Sequence, residues 1–154
     1  MQIQTDKTYR HSQVGPWGVI LVGSSAFLLA IAWSARNEPV AVLICALIAA
    51  VILVAAASFQ YLIVADEGDH LALRFGPLPL ARKTIRYDDM QDVEVGRTLL
   101  LDGWGIHMSI RSGCVWNIWG RDCVVIHDRR TVIRVGTDDA AKLTAFLKSK
   151  IRTD

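Results

Sequence analysis

The sequence predicts an α+β protein: a transmembrane helical hairpin followed by an antiparallel β-domain that ends in one helix. Residues 16–33 and 40–59 are two apolar stretches without Asp, Glu, Lys or Arg. Each is close to the length of about 20 residues that a membrane-spanning helix needs. After Gln60 the apolar residues alternate as in strands, and after Asp139 they return to a helical period.

These patterns divide the chain into three parts. Residues 1–15 are expected to form a cytoplasmic N-terminal tail, residues 16–59 the transmembrane hairpin, and residues 60–154 one small domain. The formal net charge of the chain is only +2. A nearly neutral domain argues against nucleic-acid binding, which needs a basic patch or stripe.

The positions of Lys and Arg predict the orientation of the hairpin. Lys7 and Arg10 precede the first apolar stretch, whereas the turn between the two stretches has Arg36 offset by Glu38. Excess positive charge marks the cytoplasmic side of a span. We therefore expect a multi-pass protein of the cytoplasmic (inner) membrane with both termini in the cytoplasm.

A cleaved secretory signal is the competing interpretation of the first apolar stretch. Residues 30–32 read Ala-Ile-Ala, which resembles a cleavage site. The apolar run before it is longer than the roughly 7 to 15 residues of a signal peptide. This length favours a retained span.

Small residues suggest how the two spans touch, since small side chains let helix backbones approach closely. They recur at every fourth position on both stretches. The residues concerned are Ala26, Ala30 and Ser34 on the first and Ala46 and Ala50 on the second, near the three alanines at 55–57.

The β-domain is expected to contain about seven short antiparallel strands between Tyr61 and Val135. A helical stripe follows them, formed by Ala140, Leu143, Phe146, Leu147 and Ile151. One amphipathic helix after a curled sheet has an apolar stripe to bury. We expect the helix to close the open end of the sheet.

Several short motifs in this part of the chain resemble the bacterial pleckstrin-homology-like (bPH) domains. The motifs are Gly103-Trp104-Gly105-Ile106, Trp116-Asn117-Ile118-Trp119-Gly120, Asp128-Arg129-Arg130 and residues 134–139, with residues 87–93 as a weaker match. The resemblance covers residues 60–154. It implies a seven-stranded PH-like split barrel capped by the C-terminal helix, a binding or scaffolding role, and no catalytic residues.

The resemblance raises the question of lipid headgroups, and the charges of the first turn argue against them. In pleckstrin-homology domains that bind phosphoinositides, basic residues surround the first hairpin. Here that turn contains Asp66, Glu67 and Asp69, and carboxylates offer a phosphate no donors. The candidates for a looser contact with anionic lipid, or for a solvated strand face, are Arg82, Lys83 and Arg86.

Protein partners are therefore favoured, and aromatic residues are the candidate contacts because they are enriched in interface hot spots. The candidate partner-binding residues are Trp104, Trp116, Trp119 and His107. Trp116 and Trp119 are expected to lie on opposite faces of one strand, because side chains alternate along a strand. At most one of the two then belongs to the core, and the other is a partner contact or lies against the membrane.

Catalysis and metal binding have little support in the sequence. His70, His107 and His127 are scattered, and Cys45, Cys114 and Cys123 form no CxxC pair. None of the common hydrolase, metalloprotease or nucleotide-binding motifs is present. We expect a protein that is not an enzyme and needs no cofactor.

The sequence thus predicts a membrane-anchored PH-like binding or scaffolding module that recognises a membrane or membrane-associated protein. The alternative is an accessory subunit of an integral membrane complex that packs through the hairpin. Association with a second copy of the chain is compatible with either function.

Overall fold

The computed structural model describes residues 8–98, 105–109 and 113–151. The chain begins with strand β1 (Arg10–Val14), followed by helices α1 (Trp17–Ser34) and α2 (Pro39–Ser58). Eight strands and a helix follow: β2 (Tyr61–Asp66), β3 (His70–Gly76), β4 (Arg82–Arg86), β5 (Met90–Arg97), β6 (Gly105–Met108), β7 (Cys114–Asn117), β8 (Asp122–Asp128), β9 (Val132–Gly136) and α3 (Ala140–Ile151).

Helices α1 and α2 form the predicted apolar hairpin. Both are long and apolar enough to cross a membrane by length and composition. Their large side chains are mostly exposed, among them Val19, Phe27, Trp33 and Val51. An apolar surface of this extent is unusual on a soluble monomer and indicates that something apolar covers it.

The two helices touch through small residues, only one of which was predicted. Ser25 and Ala32 of α1 and Ala49 and Ala56 of α2 are buried, and the Ser25 hydroxyl donates a hydrogen bond to the Ala49 carbonyl at 3.2 Å. The buried small residues repeat every seven positions, as in helices that cross at a small angle. Ala56 belongs to the predicted alanines at 55–57. The prediction of contacts every fourth residue was wrong, because the residues named at that spacing are exposed: Ala26, Ala30, Ser34, Ala46 and Ala50.

Strand β1 occupies part of the segment that the sequence analysis assigned to a tail. It pairs antiparallel with β2, with Arg10 opposite Ala65 and Val14 opposite Tyr61. The first sheet has the order β1-β2-β3-β4. The five residues of β1 are mostly polar, and their sequence alone does not predict a strand. They form one because β2, which follows the hairpin in the sequence, pairs with them.

The hairpin is therefore an insertion between two hydrogen-bonded strands. Gly15 and Pro16 alone separate β1 from α1, and Phe59 and Gln60 alone separate α2 from β2. The Gly15 N–H donates to the Gln60 carbonyl at 3.2 Å, which extends the strand pairing into these connections. Backbone packing is close here, since a Cβ on Gly15 would lie 2.8 Å from Cγ1 of Ile118.

The second sheet corrects the predicted topology. Its order is β5-β8-β9-β7-β6, and β7 runs parallel to β9 rather than antiparallel. The parallel pair arises because the β8–β9 hairpin places β9 beside β7. The described residues form nine strands in two separate sheets, so the expected single seven-stranded split barrel was wrong. No closed barrel exists in the described part of the chain.

One hydrophobic core lies between the two sheets and α3. Inward-facing residues alternate along the strands, as Leu71, Leu73 and Phe75 do on β3. Helix α3 covers β5 and β8 with the predicted stripe. Leu143 and Leu147 are fully buried, which confirms the expected C-terminal helix and its apolar face.

Strand β1 should contribute strongly to the stability of the β-domain. Because Val14 and Tyr61 are directly paired, a two-residue Asn-Gly turn can replace residues 15–60. We expect this joined fragment to fold and residues 61–154 alone to be less stable by about 3 kcal/mol or more, because the shorter fragment loses the buried Tyr9 side chain. Urea unfolding followed by circular dichroism measures both.

The matched control is Tyr9→Ala in the joined fragment, which keeps the strand and removes the ring. It should cost about 3 kcal/mol. Equal unfolding midpoints for the fragments with and without β1 would contradict this role of the strand.

Candidate functional site

A cleft lies where the hairpin meets the β-domain, and we call it the junction cleft. Its volume is about 400 Å³, within the range of small-molecule sites. Both halves of the protein contribute to its walls. The lining residues are Trp17 and Leu21 of α1, Phe59 after α2, Phe75 of β3, Gly105 of β6, and Asn117 and Ile118 at the end of β7.

Aromatic side chains connect the junction cleft to the core. The Phe59 and Phe75 ring centroids are 5.1 Å apart, and Phe75 lies 5.8 Å from Trp116. Distances in this range are typical of favourable aromatic pairs. At the rim, Gly105 has a φ of +101°, which a residue with a side chain adopts only with strain.

Asn117 is the one described lining residue with a side-chain amide, and this amide already has hydrogen-bond partners. Its Nδ2 donates to the Gly120 carbonyl at 3.0 Å, and its Oδ1 accepts the Trp119 N–H at 3.2 Å. The residue is fully buried. The amide therefore shapes the turn after β7 and leaves the junction cleft with an apolar character.

Trp119 lies in that turn, beside the start of α1. Its ring is 6.5 Å from the Trp17 ring in an edge-to-face arrangement, and its side chain is 42% exposed. The Gln13 side chain of β1 donates to the Trp119 carbonyl at 3.0 Å. The sequence analysis placed Trp119 on a strand, but β7 ends at Asn117.

The other predicted partner-binding residues do not gather at one site. Trp116 is 6% exposed and belongs to the core, so its ring is not available to a partner. His107 is half-buried on β6, and its Nε2 has no hydrogen-bond partner in the described part of the chain. Trp104 lies outside the described residues.

The neighbours of His107 were not predicted as contacts. Ile106 and Met108 are 38% and 73% exposed on the opposite face of β6. Ile106 is paired with Trp116 across the sheet, so the exposed pair continues the core face of the second sheet. Their alternation with His107 was visible in the sequence, but it did not show which face would be covered.

The predicted basic residues of β4 lie at different distances from the hairpin. The loop before β4 contacts the hairpin, since the Leu78 N–H donates to the Ala57 carbonyl at 3.2 Å. Arg82 begins β4 near this contact, with Lys83 half-buried beside it. Arg86 is four residues further along the strand, or about 13 Å. The three residues therefore do not form one patch at the hairpin.

Arg86 is also engaged elsewhere. Its Nη2 donates to Asp88 at 3.1 Å, and the hydrogen bond raises the pKa of the Arg86 guanidinium above its ordinary value. Arg86 faces His70 across the sheet, at the end of the domain far from the hairpin.

The acidic turn between β2 and β3 is paired with cations of the same domain. Glu67 accepts hydrogen bonds from Arg74 and, at 3.0 Å, from His70. His70 also contacts Asp69 at 2.6 Å. The hydrogen bonds to Asp69 and then Glu67 raise the pKa of His70, and the bond to His70 lowers the pKa of Asp69. The carboxylates of the turn therefore have partners within the domain, and the basic side chains near the turn are already paired with these carboxylates.

The buried Asp66 joins this turn to α3. Its carboxylate accepts hydrogen bonds from the Tyr87 hydroxyl at 2.7 Å and the Gly68 N–H at 3.0 Å, and pairs with Lys150 at 3.1 Å. Burial alone raises the pKa of Asp66, but these three contacts outweigh it and lower the pKa. Burial and the Asp66 carboxylate raise the pKa of Tyr87. The cluster has its partners within the fold and serves to hold α3.

Neither a cluster of metal ligands among the described residues nor a comparison with known proteins identifies a further site. Among the described residues, no group of three or more His, Cys, Asp or Glu could hold a metal ion. Cys45, Cys114 and Cys123 form no disulfide with one another. No protein-family model matches the chain, and no curated protein matches it. The junction cleft and the exposed residues of β6 are therefore the basis for assigning a function.

The pairing in the acidic turn predicts a pH dependence. The pKa of His70 should lie above the usual value of about 6.5, and Asp69→Asn should lower it towards that value. Because the folded-state pKa is the higher one, stabilisation by this pair is complete below about pH 6.5 and is lost as the pH rises through the pKa of folded His70. NMR titration of the histidine rings measures this.

Asp122→Asn is the control, since Asp122 pairs with Arg97 in the other sheet. It should leave the His70 titration unchanged. A pKa of His70 that does not respond to Asp69→Asn would show that the contact is absent in solution.

Proposed function

We propose that the chain is a membrane-anchored binding module that holds a PH-like β-domain at the cytoplasmic membrane surface and recognises a protein partner there. The observation that carries this proposal is the insertion of the apolar hairpin between the paired strands β1 and β2. An anchor attached in this way fixes the domain at both ends of the hairpin.

The connections support a fixed presentation rather than a flexible tether. Flexible attachment requires a linker of several residues. Here each connection has two residues, and a hydrogen bond joins Gly15 to Gln60. The same face of the β-domain would therefore always point to the membrane, with Trp17 and Trp119 at the boundary, where Trp is enriched.

The exposed apolar residues of β6 are the proposed partner contact. Ile106 and Met108 extend the core face of the second sheet to the protein surface. Methionine adapts its shape to irregular surfaces and is frequent at binding faces. Apolar side chains next to a buried Trp provide the kind of centre that protein interfaces use.

Specific recognition of a phosphoinositide has less support. Arg74, His70 and Lys150 already bind Glu67, Asp69 and Asp66. Arg82 lies near the hairpin, where it could attract any anionic lipid by about 1 kcal/mol. Such an attraction would be weak and unspecific.

The orientation gives the first test. Reporters that are active only in the cytoplasm should be active when fused before Met1 and after Asp154, because the positive charges flank the hairpin on that side. Fusions within the turn at Asn37 provide the control and should be inactive. Active fusions at Asn37 together with inactive terminal fusions would reverse the proposed orientation.

The partner contact gives the second test. A photo-crosslinking amino acid at Met108 of the full chain should capture one protein in intact cells, and Ile106→Asp should reduce its yield at least fivefold, because a charge there interrupts the apolar contact. The exposed Arg130, in the turn after β8, is the control position and should capture nothing specific. Equal capture from both positions would contradict this surface.

The accessory-subunit function remains the second candidate, because Ala26, Ala30, Ala46 and Ala50 are exposed on the hairpin rather than used within it. Faces of this kind allow close packing of another helix. Capture of an integral protein from Ala30 or Ala46, with none from Met108, would favour this candidate.

A further inference from the structure

We propose that the junction cleft binds one acyl chain of a membrane lipid. The inference rests on the membrane anchoring of the proposed function and adds to it a binding site with a defined ligand class. It follows from the position, the chemistry and the size of the junction cleft.

The position is set by α1. Trp17 is the first residue of this helix, and Leu21 lies one turn later, about 6 Å along the helix axis. With α1 as a membrane span, Trp17 lies at the membrane interface and Leu21 at the edge of the hydrocarbon region. Acyl chains are then the molecules adjacent to the cleft.

The chemistry of the cleft lining favours the acyl chain of a lipid over its headgroup. Among the described residues, none that lines the junction cleft is charged. The Asn117 amide is committed to Gly120 and Trp119. The partly exposed Trp17, Leu21 and Phe59 therefore provide the contact surface, with the buried Phe75 and Ile118 behind them. An apolar chain is what such a surface binds.

The size excludes a helix from a partner protein. A helix with its side chains is about 10–12 Å wide, so even three turns of it exceed the volume of about 400 Å³. A slender flexible chain fits this space. An apolar side chain inserted by a partner is the remaining alternative, which the experiment must distinguish.

The experiment uses the full chain in phosphatidylcholine vesicles that contain a phosphatidylcholine with a photoactivatable acyl chain. After irradiation, mass spectrometry locates the labelled residues. Label is expected on Phe59 and Gly105, which line the junction cleft and are partly exposed, so a lipid in the cleft touches them.

Leu21→Trp fills the cleft and should reduce labelling of Phe59 and Gly105 at least fivefold. Leu29→Trp makes the same change on the exposed surface of α1, two turns further along, and should leave this labelling unchanged. If Leu21→Trp lowers the thermal stability of the protein, Leu21→Phe provides the smaller filling change, with an intermediate reduction expected.

Three results would overturn the proposal. The first is an absence of label on Phe59 and Gly105, or label that persists in Leu21→Trp. The second is labelling that changes more than twofold when phosphatidylglycerol replaces phosphatidylcholine, which would show headgroup recognition. The third is labelling in vesicles that disappears in native membranes, which would show that a partner protein fills the cleft.

Failure of the underlying function is recognised separately. Release of the full chain from membranes by alkaline carbonate would contradict the proposed membrane anchoring itself. Retention of the chain in membranes without label in the cleft would contradict only the proposed acyl-chain site.

Discussion

The insertion of the helical hairpin between two hydrogen-bonded strands is the constraint on which the rest of the structure depends. Val14 and Tyr61 are neighbours in the sheet, although both helices lie between them in the chain. The start of α1 and the end of α2 must therefore lie side by side, because two residues separate each helix from its strand. The junction cleft exists because the base of the β-domain is held against these helix ends.

Strand β1 also joins the two sheets without pairing to the second one. Its side chains reach residues that follow β7 and β9. His11 contacts Asp138 at 2.5 Å, Gln13 donates to the Trp119 carbonyl, and the preceding Tyr9 stacks on Phe146 at 5.4 Å. Burial and the nearby Asp139 raise the pKa of Tyr9, so it stays a neutral donor. These contacts connect β1, and with it the helical hairpin, to α3 and the residues before it.

The sequence predicted the features that depend on local pattern. The lengths of the apolar stretches indicated α1 and α2, and the spacing of Leu143 and Leu147 indicated the buried face of α3. The features that depend on distant pairing were missed. Arg10–Val14 is a strand only because β2 pairs with it after the hairpin. The parallel neighbours β7 and β9 depend on where the β8–β9 hairpin folds.

The candidate site was predictable only in part for the same reason. Trp17 and Phe59 lie at the ends of the apolar stretches, and Asn117 belongs to the Trp-Asn-Ile-Trp motif. No local sequence pattern linked them to Phe75, which is one of several inward-facing residues of β3. They meet because the two-residue connections bring the helix ends to the base of both sheets.

The two-residue connections have a consequence for the order of assembly. In a free chain, closing a loop over residues 15–60 costs about 3 kcal/mol of entropy. During synthesis β1 is made first and has no partner until α2 is complete. With the proposed anchoring, insertion of the hairpin returns the chain to its starting side and delivers Tyr61 beside Val14. The membrane then closes the loop, and insertion precedes completion of the first sheet.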